Sequence, residues 1–302
     1  MTPPPVRVAL AASVRTLPRG PGLAYEPKFD GHRMVVLHTA EGVVLQARSG
    51  RTVTAAFPDL AEAARRLPAG TVLDGEVVVW HAGRTDFALV QRRAAATPAR
   101  AAALARTLPA SYAAFDVLEL AGLDVRAQPY ARRRALLLDL LAPLGPPLQP
   151  VPMTTDPELA ETWYETLPAS GIEGLVVKRL DQPYPSGRRA WRKLRHTNVR
   201  DAAVIGYTGT ARRPLALVLL LPGEDDETPL VSSPLPAALR ADLTAALRTA
   251  PPPPPPPRPP TVTAIGLGET TYTPLDPPLT AEVRHASTRH PPPEVLRLRT
   301  DL

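Results

Sequence analysis

The 302-residue chain is 44% hydrophobic and carries 35 Lys and Arg against 29 Asp and Glu, a net charge of +6; this suits two globular domains and a polyanionic partner. It has no cysteine, which excludes disulfides, thiolate metal sites and cysteine nucleophiles together. No run of about 18 apolar residues occurs, and the N-terminal Met-Thr-Pro-Pro-Pro-Val-Arg has no charged region followed by an apolar one. The expectation is a soluble, cytoplasmic protein with no membrane partner.

Residues 1–24, rich in Pro, Arg and Ala, read as a lead-in to a first motif, Glu26-Pro-Lys-Phe-Asp-Gly-His-Arg33, which is expected to precede a strand. Residues 34–38 and 42–47 are β-prone runs split by a hairpin signal, and 58–67 has helical spacing. Residues 71–80 predict a strand interrupted by an acidic turn, Asp74-Gly-Glu76, and closed by an Ala82-Gly83 turn. Helices are expected over 86–107, with a break at Thr97-Pro98, over 130–141, and over 156–167 behind an Asp156 N-cap. Strands are expected over 111–120, 174–180 and 190–194, the last two separated by Gln-Pro-Tyr-Pro-Ser-Gly. Mixing without strict βα alternation predicts an α+β fold. Near Asn198–Asp201 the texture changes. Strands at 202–207, 215–221, 262–265 and 281–284 with one helix at 236–249 suit a small barrel. The domains are therefore drawn at 1–199 and 200–302, with a proline-rich insertion at 251–260 that is either an extended partner-recruiting segment or a loop expansion.

Only three of the basic residues are lysines, and each lies in a chemical-looking motif: Lys28 in the first, Lys178 in Glu173-Gly-Leu-Val-Val-Lys178, and Lys193 in Trp191-Arg-Lys-Leu-Arg195. Elsewhere the chain uses arginine, so lysine has been kept where a guanidinium would not serve. An amine can lose its proton and attack; a guanidinium cannot.

Lys28-Phe-Asp-Gly-His-Arg33, followed in order by Arg48-Ser-Gly-Arg51, Asp74-Gly-Glu76, Tyr112-Ala-Ala-Phe-Asp116, Glu173–Lys178 and Trp191–Arg195, resembles the covalent nucleotidyltransferases, specifically the ATP-dependent DNA ligases. The resemblance implies a nucleotidyltransferase (adenylation) domain of antiparallel sheets and helices followed by a small oligonucleotide-binding (OB) β-barrel. It implies Lys28 as the nucleophile that accepts AMP from ATP, with Lys193 and Arg195 on one strand face at the α-phosphate. Glu26, Asp30, Arg33, Arg48, Glu76, Phe115, Lys178 and Lys193 would contact nucleotide or nick phosphate, Phe115 by stacking on the purine, while Asp30 and Gly31 shape the turn that presents the lysine. Carboxylates beside a triphosphate imply Mg²⁺ or another divalent cation, at Glu76 and Glu173. The ending Leu296-Arg-Leu-Arg-Thr-Asp301, after Arg289-His-Pro, resembles the family's last motif without its usual terminal lysine, leaving Arg297 or Arg299 for the pyrophosphate. If neither serves, self-adenylylation is expected to be slow.

The implied reaction has three steps: adenylylation of Lys28, transfer of AMP to the 5′-phosphate of a nick in duplex DNA, and joining by the 3′-hydroxyl. The barrel would close on ATP and then swing to grip DNA. The resemblance is to small bacterial ligases of repair, recombination and end joining, acting as monomers with repair or end-joining proteins as partners. Rival readings are an RNA ligase, a guanylyl-transferring capping enzyme, or a degenerate DNA-binding scaffold. NAD-dependent ligases are disfavoured because their zinc-binding cysteines have no counterpart.

Overall fold

In the computed structural model, which describes residues 5–221, 228–249, 259–264, 268–286 and 292–299, the chain divides into two units, residues 1–196 and 197–302. The first unit holds two sheets. In chain order its elements are β1 (Leu10–Val14), β2 (Leu23–Phe29), β3 (His32–Thr39), β4 (Gly42–Ala47), α1 (Pro58–Ala64), β5 (Thr71–His81), β6 (Arg84–Thr85), α2 (Phe87–Ala94) and α3 (Pro98–Thr107). Then follow β7 (Ala110–Leu120), β8 (Leu123–Asp124), α4 (Tyr130–Leu141), β9 (Leu148–Pro150), α5 (Pro157–Thr166), β10 (Ile172–Arg179) and β11 (Arg189–Arg195). One sheet has the order β1-β11-β10-β2; the other runs β4-β3-β5-β7-β8, with β6 on β5 and β9 on β7.

The run Met34-Val-Val-Leu37 shows why the layers stack. Met34 and Val36 enter a core shared with Leu60 of α1 and Leu137 of α4, while Val35 and Leu37 enter a second core with Val8, Tyr184 and Trp191 on the side of the other sheet. A strand apolar at every position is buried on both faces. The four-stranded sheet has its own second face, where Leu175, Val177 and Tyr25 pack on Ala160 of α5. Asp156 caps that helix, accepting from Glu158 N at 2.9 Å.

Three local expectations change. The first lysine motif leads into β3 as expected but is not a loop before it, since it also ends β2, with Lys28 inside that strand. Asp74-Gly-Glu76 is not a turn, since β5 runs through it, paired with β3 on one side and β7 on the other. The lead-in contains β1, which pairs in parallel with β11. Local periodicity could not reveal that pairing because the partners lie almost the whole unit apart in sequence.

The second unit is built from β12 (Thr197–Thr210), β13 (Arg213–Leu220), β14 (Leu230–Val231), α6 (Ala237–Thr249), β15 (Thr261–Ala264), β16 (Gly268–Thr271), β17 (Thr273–Ala286) and β18 (Glu294–Arg299). Its sheet has the order β14-β13-β12-β17-β18, and β15 and β16 form a separate hairpin. Leu239, Leu243 and Leu247, one turn apart on α6, close the core over Val204, Leu217 and Leu219. In β17 the register against β12 jumps from Leu279 to Pro274, so Pro277 and Pro278, which have no N–H to give, fall outside the ladder. Residues 251–258, 289–291, 300 and 301, which carry parts of the proline tract and of the last motif, lie outside the described residues.

Candidate active site

The cleft between the two sheets of the first unit collects the motif residues. Odd positions of β3 face it, which brings Arg33 in beside Val35, and even positions of β5 bring Asp74 and Glu76. From the other sheet, alternation along β11 brings Trp191, Lys193 and Arg195 to one face, with Lys193 in register with Val176 and Arg195 with Gly174. Glu173 would face the other way in a regular strand. The register shift between Ile172 and Leu175 turns it into the cleft.

Two glycines make this arrangement possible. Gly174 has φ of +144°, and a Cβ there would lie 2.0 Å from the Leu194 carbonyl oxygen, so any side chain would push β10 and β11 apart. At Gly31 a Cβ would lie 2.1 Å from the Val77 carbonyl oxygen, which fixes how closely the turn after Lys28 approaches β5.

At the mouth of the cleft the Lys28 ammonium donates to Glu173 Oε1. The other Glu173 oxygen lies 3.3 Å from Arg195 Nε in an ion pair without hydrogen-bond geometry, and is buried with no hydrogen-bond partner. Burial lowers the Lys193 pKa, with Arg195, Lys28 and Arg48 adding to the effect through their charges. Arg48 itself is exposed in the turn after β4. Burial lifts the Asp30 carboxyl to about 6, with Glu173 reinforcing and Lys28 and Arg195 opposing. It lifts Glu76 to about 7 against the pull of Lys28 and Arg33.

These raised carboxyls mean that the native chain holds protons the unfolded chain has already released. Stability contributed by the protonated forms is therefore lost as pH rises through about 4 to 7. Asp30→Asn should gain stability relative to the native chain at pH 7 and lose that advantage at pH 4. Urea unfolding midpoints at both pH values check this; an advantage that does not change with pH contradicts it.

Deeper in the cleft, Lys178 is almost wholly buried, with its ammonium 2.7 Å from Glu26 Oε2 and donating to the Phe115 carbonyl at 2.8 Å. Its charge lies 4.4, 4.6 and 5.0 Å from the ring centroids of Trp191, Tyr130 and Phe115. Burial lowers the Lys178 pKa and Glu26 opposes it. Tyr130 completes the cluster by donating to Glu26 Oε1. Arg33 is held by Asp74 through two hydrogen bonds of 3.0 and 2.6 Å and donates to the Ala9 carbonyl at 2.6 Å; its guanidinium lies 5.1 Å from the Phe115 centroid. Tyr184, which reads only as part of a proline-rich turn in the sequence, donates to Asp74 and accepts from Ala9 N at 2.8 Å. Tyr130 and Tyr184 are the site residues that sequence reasoning misses. Their one signal is an aromatic in an otherwise polar setting.

Could this cleft hold a divalent cation? Among the described residues no group of three or more His, Asp or Glu side chains converges, so a cage made only of protein is absent. Magnesium needs only one or two carboxylates when phosphates supply other ligands. Glu173, with its unsatisfied buried oxygen, and Glu76, whose carboxyl burial raises to about 7 against Lys28 and Arg33, fit that arrangement.

Of the predicted residues, only Arg297 and Arg299 lie elsewhere, in the second unit on β18. There Arg297 pairs with Glu282, and Arg299 Nη1 lies 3.3 Å from Asp201.

A model of the ATP dependent DNA ligase domain matches residues 9–195. DNA ligase C2 of Mycolicibacterium smegmatis is 38% identical over 205 residues, covering 68% of this chain and 57% of that protein, so the chain spans little more than half the length of this relative. Among solved structures, mycobacterial DNA ligase D complexed with ATP and MES is 26% identical with a TM-score of 0.54, and the ligase domain of M. tuberculosis LigD is 27% identical with a TM-score of 0.56. Both alignments cover 98% of this chain and 96% of the other, so both units share the ligase architecture of a nucleotidyltransferase fold followed by an OB fold. No helix among the described residues is long and apolar enough to cross a membrane. With the matched region containing the whole cleft from β1 to β11, the chain belongs to the ATP-dependent DNA ligase family.

Proposed function

We propose that this chain seals 5′-phosphorylated nicks in duplex DNA, using ATP and a lysyl-AMP intermediate on Lys28. The observation that carries the proposal is the Lys28 amine held against Glu173, with Lys193 and Arg195 on the adjacent strand face. In the first step the Lys28 nitrogen bonds to the α-phosphorus of ATP and the bond to the bridging oxygen breaks, releasing pyrophosphate. Glu173, in contact with the ammonium, is positioned to receive its proton. Lys193 and Arg195 stabilise charge gathering on the α-phosphate oxygens. The nick 5′-phosphate oxygen then bonds to the same phosphorus and frees Lys28. Finally the 3′-hydroxyl attacks the 5′-phosphorus, expelling AMP and closing the backbone.

A divalent cation held by Glu76 and Glu173 would neutralise charge on the triphosphate. Residues 1–196 would be the adenylation domain and residues 197–302 the OB domain that grips DNA. The similar mycobacterial ligase D structure is a complex with ATP, which supports the same donor here.

Phe115 offers its ring to the purine from a site flanked by Arg33 and Lys178. Stacking of a base on an aromatic ring is worth about 1–3 kcal/mol, so Phe115→Ala should raise the KM for ATP in self-adenylylation about 5- to 150-fold while Lys28 remains reactive. The ATP dependence of single-turnover pyrophosphate release checks this; an unchanged ATP dependence would remove Phe115 from the nucleotide site.

The proposal is tested with a nicked duplex whose nick lies in a DNA or an RNA strand, with ATP, GTP or NAD supplied singly. Sealing of the DNA nick with ATP is expected. Sealing confined to RNA, or supported by GTP alone, would replace this reading with an RNA ligase or a capping-type guanylyltransferase.

A further inference from the structure

The second unit carries an arginine-lined groove of about 490 Å³ whose lining does not include the paired arginines of β18. One wall is α6, where Arg240, Thr244 and Arg248 recur every four residues; the other is the turn from β12 to β13, with Arg212 and Arg213. The leucines at 239, 243 and 247 point into the core, so the arginine row is a lateral face of the helix that is not needed for packing.

Among the described residues the charges of this groove meet no carboxylate. Elsewhere in the same unit Arg284 pairs with Glu294, Arg297 with Glu282 and Arg299 with Asp201. None of Arg212, Arg213, Arg240 and Arg248 pairs with an acidic group among the described residues. Four guanidiniums converging from two elements repel one another unless an anion lies between them, and planar forks of N–H donors match phosphate oxygens. Stability alone does not explain the cluster. An arginine near a helix C-terminus, such as Arg248, complements the helix dipole, but that does not account for the turn arginines facing it.

We propose that this groove binds the phosphodiester backbone of duplex DNA, adding a contact from the helix side of the second unit. The choice of DNA as occupant rests on the ligase reading; the groove and its unpaired charge do not.

The experiment uses the full chain with Arg240→Ala/Arg248→Ala and, separately, Arg240→Lys/Arg248→Lys. Binding of a nicked duplex is measured by fluorescence anisotropy across a salt series, and self-adenylylation with ATP alone is measured in parallel. Each lost phosphate contact should lower the slope of log K against log salt by about 0.9, so the alanine pair should lose about 1.8 and bind about tenfold or more weakly at low salt. The lysine pair should keep most of the slope. Alanine variants with the native slope and affinity would overturn the groove while leaving the ligase reading intact. Equal loss in both variants would show that shape, not charge, was disturbed, and would also overturn it. Absence of an AMP adduct on the native chain would instead count against the ligase reading, whatever the slopes show.

Discussion

Lys28→Ala should abolish formation of the AMP adduct, with self-adenylylation falling by about 10⁴- to 10⁶-fold, the range seen when a covalent nucleophile is removed. The other two lysines are poor substitutes for different reasons. Lys178 is sealed between Glu26 and the Phe115 carbonyl beneath three aromatic rings. Lys193 is the chemical rival, since its pKa is lowered by burial and neighbouring cations, yet it lies on β11 beside Arg195, where it can serve as a phosphate contact. Lys193→Ala should therefore slow adduct formation by about 10²- to 10³-fold, the scale of losing one transition-state donor, without preventing it. Lys28→Arg separates chemistry from structure: it can keep the ion pair with Glu173 but cannot attack phosphorus. Both Lys28 variants should fold, as thermal unfolding would report, and neither should carry AMP. An adduct on Lys28→Arg would contradict the assignment.

Asp116→Ala should strongly destabilise the first unit. The Asp116 carboxylate and the Arg133 guanidinium are both buried and joined by hydrogen bonds of 2.7 and 2.9 Å, and Arg133 also donates to the Gln128 and Gln182 carbonyls at 2.6 and 3.0 Å. Removing the carboxylate strands a buried cation, at a cost of about 3–5 kcal/mol. For a unit of this size that is about 6–20 °C in Tm. Asp181→Ala, which opens the exposed pair with Arg179, should change stability by at most about 1 kcal/mol. Replacing both Asp116 and Arg133 by Leu and Met should cost less than Asp116→Ala alone, because no charge is left behind. Thermal unfolding of the four proteins decides it. An Asp116→Ala melt within about 1 °C of the native chain would contradict the argument. The damage should reach the cleft, since Phe115 is the preceding residue and its carbonyl holds Lys178.

The chemistry was more legible in the sequence than the architecture that holds it. Residue types demanded by phosphoryl transfer stood in order, and the three lysines marked them because arginine had replaced lysine elsewhere. Helix limits such as Tyr130–Leu141 followed from local spacing and flanking prolines. What local spacing cannot show is which distant groups meet. Asp74 read as one side of an acidic turn; it is instead the partner of Arg33, on the neighbouring strand, with Tyr184 behind it. Glu26 read as a nucleotide contact beside the lysine motif; its carboxylate lies between Tyr130 and Lys178, more than 100 positions away along the chain in each case. The cleft face of Glu173 depends on a strand irregularity centred on Gly174, which alternation alone would place wrongly.

The most direct test of the account is to incubate the chain with ATP and Mg²⁺, measure intact mass, and map the modified peptide. The three lysines make the assignment unambiguous. A single acid-labile AMP on the peptide containing Lys28, which transfers to nicked DNA on its addition, is the predicted result. AMP on Lys178 or Lys193, or no adduct on a chain that is also free of AMP as isolated, would contradict the mechanism.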